Sequence, residues 1–269
     1  MVLVYDIVSL YKTMNHIQKI LLGLLLPVLS HAGGMQDEIQ VYTDDINAPG
    51  ENGLELHVNA TPSGITQPNY PGALTNAHGV RFTPELSRGL TRTTELGLYL
   101  PSAYTSEGKY QMAGMKLRLK WLPIQAEENA GYFAGMNFEL GVLKPQFSES
   151  AKTAEIRNIL GWKNSSWLIA VNPIFDFNIS PGLPHTPTFM LATKLNRRLT
   201  ESVWIGWEHY NDRGPYNNAL PPFQQSKMNF LVMDYVGQPF DFNVGIGKGA
   251  TANSDRWTVK AIIDVPIND

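Results

Sequence analysis

The chain has 269 residues, of which only 17% are charged, and a formal net charge of −3. That balance excludes a basic nucleic-acid-binding surface as the dominant feature, and nucleic acid is not an expected partner. There is no cysteine, so thiolate nucleophiles, cysteine zinc sites, disulfides and a lipid-bearing cysteine are all excluded.

The first feature in chain order is "MNHIQKILLGLLLPVLSHAGG", which starts at Met14. Lys19, the apolar core Ile20–Leu29 and small residues at Ser30 and Ala32 read as a secretory signal cut after Ala32. The apolar run is too short to span a bilayer, and Pro27 interrupts it. Residues 1–13 precede it, and Met1 and Met14 both remain open as the start. Residues 33–52 are polar and turn-rich and read as a periplasmic lead-in with room for one short strand. Asp44-Asp45 within them reads as a solvated turn rather than a calcium site.

From residue 53 to 269 period-two alternation recurs, and no stretch shows helical periodicity. Leu54/Leu56/Val58 oppose Glu55/His57/Asn59, and Val80/Phe82/Leu86 oppose Arg81/Thr83/Glu85. The cleanest case sets Met115/Leu117/Leu119/Trp121 against Lys116/Arg118/Lys120. Further strands are expected at 93–100, 131–143, 155–163, 166–178, 187–195, 202–211, 227–236, 239–247 and 256–267. Asn158 spoils the apolar face of 155–163. The total is about twelve.

Connections alternate in length. Long ones fall at 62–78, 101–110, 144–154, 179–186, 212–226 and 248–255. Short ones read "SRGLTR", "KNSS", "NRRLTE" and "VGQP", with 122–130 the exception. This is the pattern of an all-β, up-and-down antiparallel transmembrane barrel with long extracellular loops and short periplasmic turns. Two stretches echo one another: Leu90-Thr91 precedes Gly97, and Leu199-Thr200 precedes Gly206, at the same spacing. Both fit a short periplasmic turn that feeds an upward strand.

Alternation alone allows a soluble barrel with its apolar face inward. Three features oppose it: the signal, the loop alternation, and aromatics at strand ends. Trp121, Tyr132, Trp167 and Phe240 share the apolar phase, as an interfacial girdle requires, and Trp162 is less clearly in phase. The expected partners are outer-membrane lipid, the barrel assembly machinery and a small-molecule solute.

The stretches "DEIQVYTDDINAPGENGLELHVN", "LTRTTELGLYLP" and "FDFNVGIGKGATANSDRWTVKAIIDVPI" resemble proteobacterial outer-membrane barrel proteins of the phenol meta-cleavage-pathway (MetA-type) channel group. The resemblance covers most of the chain after the signal and implies a twelve-strand-like barrel and transport. It supplies no catalytic residues. Such barrels usually end in an aromatic residue that the assembly machinery reads, whereas this chain ends "VPIND", with Ile267 near that place.

With the apolar face on lipid, the lumen lining is Glu55, His57, Arg81, Glu85, Glu95, Tyr99, Lys116, Arg118, Lys120, Glu139, Lys194, Glu208, Asp241 and Lys260, with Asp176, Trp204 and Asp264 also inward. The row Lys116/Arg118/Lys120 lies between strands carrying Glu95 and Glu139. An open lumen would let that row attract anionic or aromatic solutes. A lumen in which the carboxylates clamp the row would be packed and silent. A channel, a non-conducting structural or adhesive barrel with binding loops, and a membrane-embedded lipid hydrolase are the three readings. The last lacks G-x-S-x-G and any serine placed beside His57 or His209. Neither H-E-x-x-H nor an EF-hand pattern occurs, and no cofactor is expected.

Overall fold

The computed structural model describes residues 38–127 and 130–267. The expected signal and the lead-in before Glu38 lie outside the described residues. Among them are fourteen strands: β1 (Asn52–Ser63), β2 (Val80–Thr91), β3 (Thr94–Tyr99), β4 (Ser102–Tyr104), β5 (Tyr110–Met112), β6 (Gly114–Ile124), β7 (Gly131–Leu143), β8 (Lys152–Lys163), β9 (Trp167–Asn178), β10 (Thr188–Arg198), β11 (Val203–Pro215), β12 (Ser226–Tyr235), β13 (Asp241–Gly249) and β14 (Trp257–Ile267). β3 and β4 form one wall strand broken at Pro101, which has no N–H to give the ladder. β5 and β6 form another, broken at Ala113, whose N–H reaches the Pro101 carbonyl at 2.8 Å. The wall therefore has twelve strands. All pair antiparallel, and β1 closes the sheet by pairing with both β2 and β14.

The outer face is the apolar one. Leu117, Leu140, Leu231 and Ile246 point away from the barrel and are exposed, and so are Trp121, Tyr132, Trp167 and Phe240 at strand ends. Inward neighbours such as Arg118, Glu139 and Glu208 are buried. This inverts a soluble protein and suits a hydrocarbon solvent. Closure matters for the same reason, because an open sheet edge in lipid would leave backbone donors and acceptors without partners.

Several local expectations change. The stretch 101–110 is a hairpin extension rather than a long loop, with β4 and β5 pairing from Ser102↔Met112 to Tyr104↔Tyr110. β2 continues to Thr91, so its turn is only 92–93. The doubtful 155–163 lies within β8, and the reason for Asn158 lies across the ladder. Asn158 faces the place of Pro173 on β9, and its Nδ2 donates to the Pro173 carbonyl at 3.2 Å. A polar residue on the lipid face is thus spent on a backbone group whose own residue cannot complete the ladder.

The two echoing stretches do lie at the end of the barrel with the short turns. The Thr91 hydroxyl accepts from the Thr93 N–H at 3.2 Å, and the Thr200 hydroxyl accepts from Val203 N–H at 3.0 Å. Each threonine closes its turn with a side chain that mimics a backbone acceptor.

At the opposite end the long loops bond to one another. Leu74 N–H donates to the Gln146 carbonyl at 2.9 Å. Asp255 accepts from Ile65 N–H and Asn76 Nδ2, both at 2.9 Å. Burial holds the Asp255 carboxyl above its ordinary range despite those two donors.

Candidate functional site: a charged lumen occupied by its own N-terminal segment

Residues 38–47, read from sequence as a polar lead-in, run inside the barrel. They form no ladder of their own. Tyr42 instead takes both its backbone bonds from one side chain: its N–H donates to Asn172 Oδ1 at 2.6 Å, and its carbonyl accepts from Asn172 Nδ2 at 3.1 Å. The Tyr42 hydroxyl meets the Tyr99 hydroxyl at 2.6 Å. Lys260 Nζ donates to the Ile39 carbonyl at 3.0 Å, and Arg157 Nη1 to the Gln40 carbonyl at 3.2 Å. Asp44 is buried against Lys163 at 2.8 Å, which corrects its reading as a solvated turn. The segment leaves the lumen at the short-turn end, where Gly50 and Gly89 pair through Gly50 N–H to the Gly89 carbonyl at 2.8 Å.

The segment's own alternation fits this place. Ile39 and Val41 join an apolar patch of the lumen made by Leu122, Phe133, Ile159, Ile174, Phe230 and Val232. Glu38, Gln40 and Asp44 meet charged wall residues instead: Arg157, Glu55 and Lys163. An amphipathic extended segment is what a lumen with one apolar and one charged side can hold.

The residues assigned to the lumen from sequence turn inward, and the structure shows what each one meets. Glu55 and Glu85 face each other across β1 and β2, an arrangement of like charges that costs energy unless a cation intervenes. His57 lies fully buried beside both, with Nε2 at 2.7 Å from Glu55 and 3.8 Å from Glu85. Arg118 ion-pairs with Glu85 at 2.6 Å and also with Glu95. Lys116 pairs with Glu139 at 3.6 Å, and Lys120 donates to the Asp45 carbonyl. Lys194 lies 3.3 Å from Glu208, which Lys260 also reaches at 2.5 Å. Tyr99 is buried beside the Arg118 cluster. Arg81 stacks over Phe147 near the long loops, at 4.6 Å from the ring centre. Asp241 accepts from Gly237 N–H at 2.8 Å at the short-turn end.

Lys194 and Glu208 pair as facing residues, but the basic row of β6 does not pair with the carboxylates that face it. By register Arg118 opposes Glu139 and Lys120 opposes Glu95. The actual partners are displaced because the inner segment takes Lys120 and because Gly97 lies opposite Arg118. With no side chain at Gly97, Arg118 on β6 crosses β3 and reaches Glu85 on β2; a Cβ there would sit 2.7 Å from both Arg118 Nε and Glu85 Oε1. Gly206 does the same for its own neighbours. Asn196 on β10 crosses it to reach Asp234 on β12. The repeated glycine is a gap through which a polar side chain bridges two strands. Nothing in either local sequence signals that bridge.

Sequence reasoning missed Glu38, Tyr42, Arg157, Asn172 and Asp234 as lumen groups. Asn172 and Asp234 were on the inward phase of their strands, which is the one signal that could have found them.

Inside the short-turn mouth lies a cavity of about 740 Å³, bounded by residues 40–47 on one side. Ten carboxylates line it against five lysine or arginine side chains. Glu55 opposes Asp264 across β1 and β14, and Asp264 opposes Asp241 across β14 and β13. Among the described residues no ion pair joins Asp241 or Asp264 to a base. The lumen thus has a basic row held by wall carboxylates and a backbone carbonyl, and an acidic mouth.

A closed, twelve-stranded antiparallel barrel with an apolar exterior and a charged interior is the architecture of outer-membrane β-barrels. No protein-family model matches the sequence, and no curated protein is similar to it at a significant level. Solved structures do share the fold. An outer membrane channel from Pseudomonas putida F1 superposes with a TM-score of 0.58 at 9% identity, covering 86% of this chain and all of that one (100%). The KdgM porin, also solved with a disordered oligogalacturonate, gives 0.52 at 8% identity over 80% of this chain and 99% of its own.

Proposed function

We propose that this protein is an outer-membrane channel for small solutes, with residues 38–47 forming the constriction and the acidic mouth favouring cations. The observation that carries this reading is the lumen itself: a polar, charged interior with a 740 Å³ water-accessible vestibule inside a wall built for lipid. The fold shared with a porin and an outer membrane channel supports it. Membership of the phenol meta-cleavage-pathway group is part of the same proposal. In this orientation the short turns and the acidic mouth face the periplasm, and the loops 64–79 and 216–225 face outward.

The charge preference departs from the sequence expectation. Lys116 and Arg118 are ion-paired with carboxylates and Lys120 is held by the Asp45 carbonyl, so the row is not three free cations, and at the mouth ten carboxylates outnumber five lysine or arginine side chains. What remains without an ion pair among the described residues is the facing carboxylate pair Asp264–Asp241, with Glu55 beside it. Fixed carboxylates at a pore mouth raise the local cation concentration.

Planar-bilayer recordings under a KCl gradient test this. The expected result is a reversal potential of cation-selective sign that moves toward zero when Asp241 and Asp264 are both changed to Asn. Anion selectivity in the wild type would overturn the charge reading, and absence of any conductance would overturn the channel. The second reading, a non-conducting barrel, is favoured by one observation: the bonds that fix Tyr42 across the lumen.

A further inference from the structure

The lipid-facing surface is apolar around most of the barrel but not on β11–β13 near the long loops. Where β9 presents Phe175 and β10 presents Phe189, β11 presents His209, Asn211 and Arg213. β12 presents Lys227 and Asn229, and β13 presents Lys248. Their outward direction is fixed by contacts. Arg213 lies over the Phe189 ring at 5.8 Å, and Lys248 over the outward Trp257 ring at 5.6 Å. Asn229 Oδ1 accepts from the outward Trp207 indole at 3.2 Å.

The register puts the three cations in one row. Asn211 opposes Lys227, so Arg213 is its diagonal neighbour; Asn229 opposes Lys248, so Lys227 is diagonal to Lys248. Diagonal neighbours stand roughly 7–8 Å apart. No ion pair with a carboxylate is made by Arg213, Lys227 or Lys248 among the described residues. The carboxylate of the β13–β14 loop, Asp255, is already bonded to Ile65 and Asn76. Three cations without an ion pair, in a wall otherwise made for acyl chains, call for an anionic partner at that height.

We propose that this bay binds a phosphorylated glycolipid of the outer leaflet, with Arg213, Lys227 and Lys248 holding its phosphates. The phosphate oxygens accept charge-assisted bonds from the three basic groups. The apolar positions below, Trp207, Leu231 and Ile246, lie against the acyl chains. The proposal rests on the outer-membrane placement argued above, though not on conduction.

The test is native mass spectrometry of the full-length protein extracted from outer membranes, with bis-phosphorylated lipid A as the added probe. Wild-type protein is expected to retain one lipid A. The triple variant Arg213→Gln/Lys227→Gln/Lys248→Gln should bind it about tenfold or more weakly, the loss expected for charge-assisted bonds. Arg197→Gln, an outward arginine at the short-turn end, should bind as wild type does. Dephosphorylated lipid A should not be retained. Equal binding by the triple variant, by the dephosphorylated lipid or of phosphatidylglycerol would overturn the proposal. So would a wild-type dimer that the triple variant loses, since a second copy would then cover the bay. Bilayer conductance of the same samples separates the two readings. Lipid A retention by a wild-type protein that does not conduct would remove the channel and leave this site standing.

Discussion

Arg118 shows how a charge is kept inside the wall. Its guanidinium is buried between Glu85 and Glu95, with the Tyr42 and Tyr99 rings each 5.8 Å away. Removing one partner of such a cluster is worse than never having built it, because the remaining charges keep their desolvation cost without their attraction. Arg118→Met leaves Glu85 and Glu95 buried without their shared cation, and Glu85 also faces Glu55. It should destabilise the barrel by on the order of 3 kcal/mol. Urea unfolding followed by tryptophan fluorescence measures this. An unchanged midpoint would show that water enters the lumen freely enough to solvate the carboxylates.

The element that decides conduction is the inner segment. Among its ties to the wall is Asn172, whose single amide satisfies both backbone groups of Tyr42. Asn172→Leu keeps the branched shape of the side chain, and β9 keeps its ladder to β8 and β10. It leaves the Tyr42 N–H and carbonyl without those partners, at about 1–3 kcal/mol each. The segment should therefore loosen while the wall stays intact. Single-channel recordings should show a larger or noisier conductance, with the wild-type unfolding midpoint of the wall retained. Identical traces would mean that residues 38–47 do not control the path. The phase of Asn172 was readable from the alternation in 166–178. Its partner was not, because Tyr42 lies 130 positions away and meets it only once the barrel has closed.

For the whole molecule the question is which face meets which solvent. Leu117 lies in the middle of β6 on the outer face and is 54% exposed, while its neighbour Lys116 turns inward to Glu139. Leu117→Arg should cost about 2–4 kcal/mol if that face is in hydrocarbon, since a midplane arginine on a barrel exterior loses its hydration. Lys116→Gln should be much milder. Folding yield into lipid vesicles, scored by the shift in gel mobility between heated and unheated samples, compares the two. Tolerance of arginine at 117 together with intolerance of glutamine at 116 would turn the barrel inside out.

The sequence by itself determined the strand count, the direction of nearly every inward side chain, and the end of the barrel at which the short turns lie. Those properties follow from period-two alternation and from turn residues, which act within a few positions of one another. It could not determine that Lys120 would serve a carbonyl at Asp45, that two glycines would act as passages, or that Asn158 would answer Pro173. These depend on which strands become neighbours and on what fills the space they enclose. Only the closed barrel brings residues 38–47 against the wall, and that contact, rather than any local pattern, ties Lys120 to the Asp45 carbonyl while Arg118 and Lys116 find carboxylates on other strands.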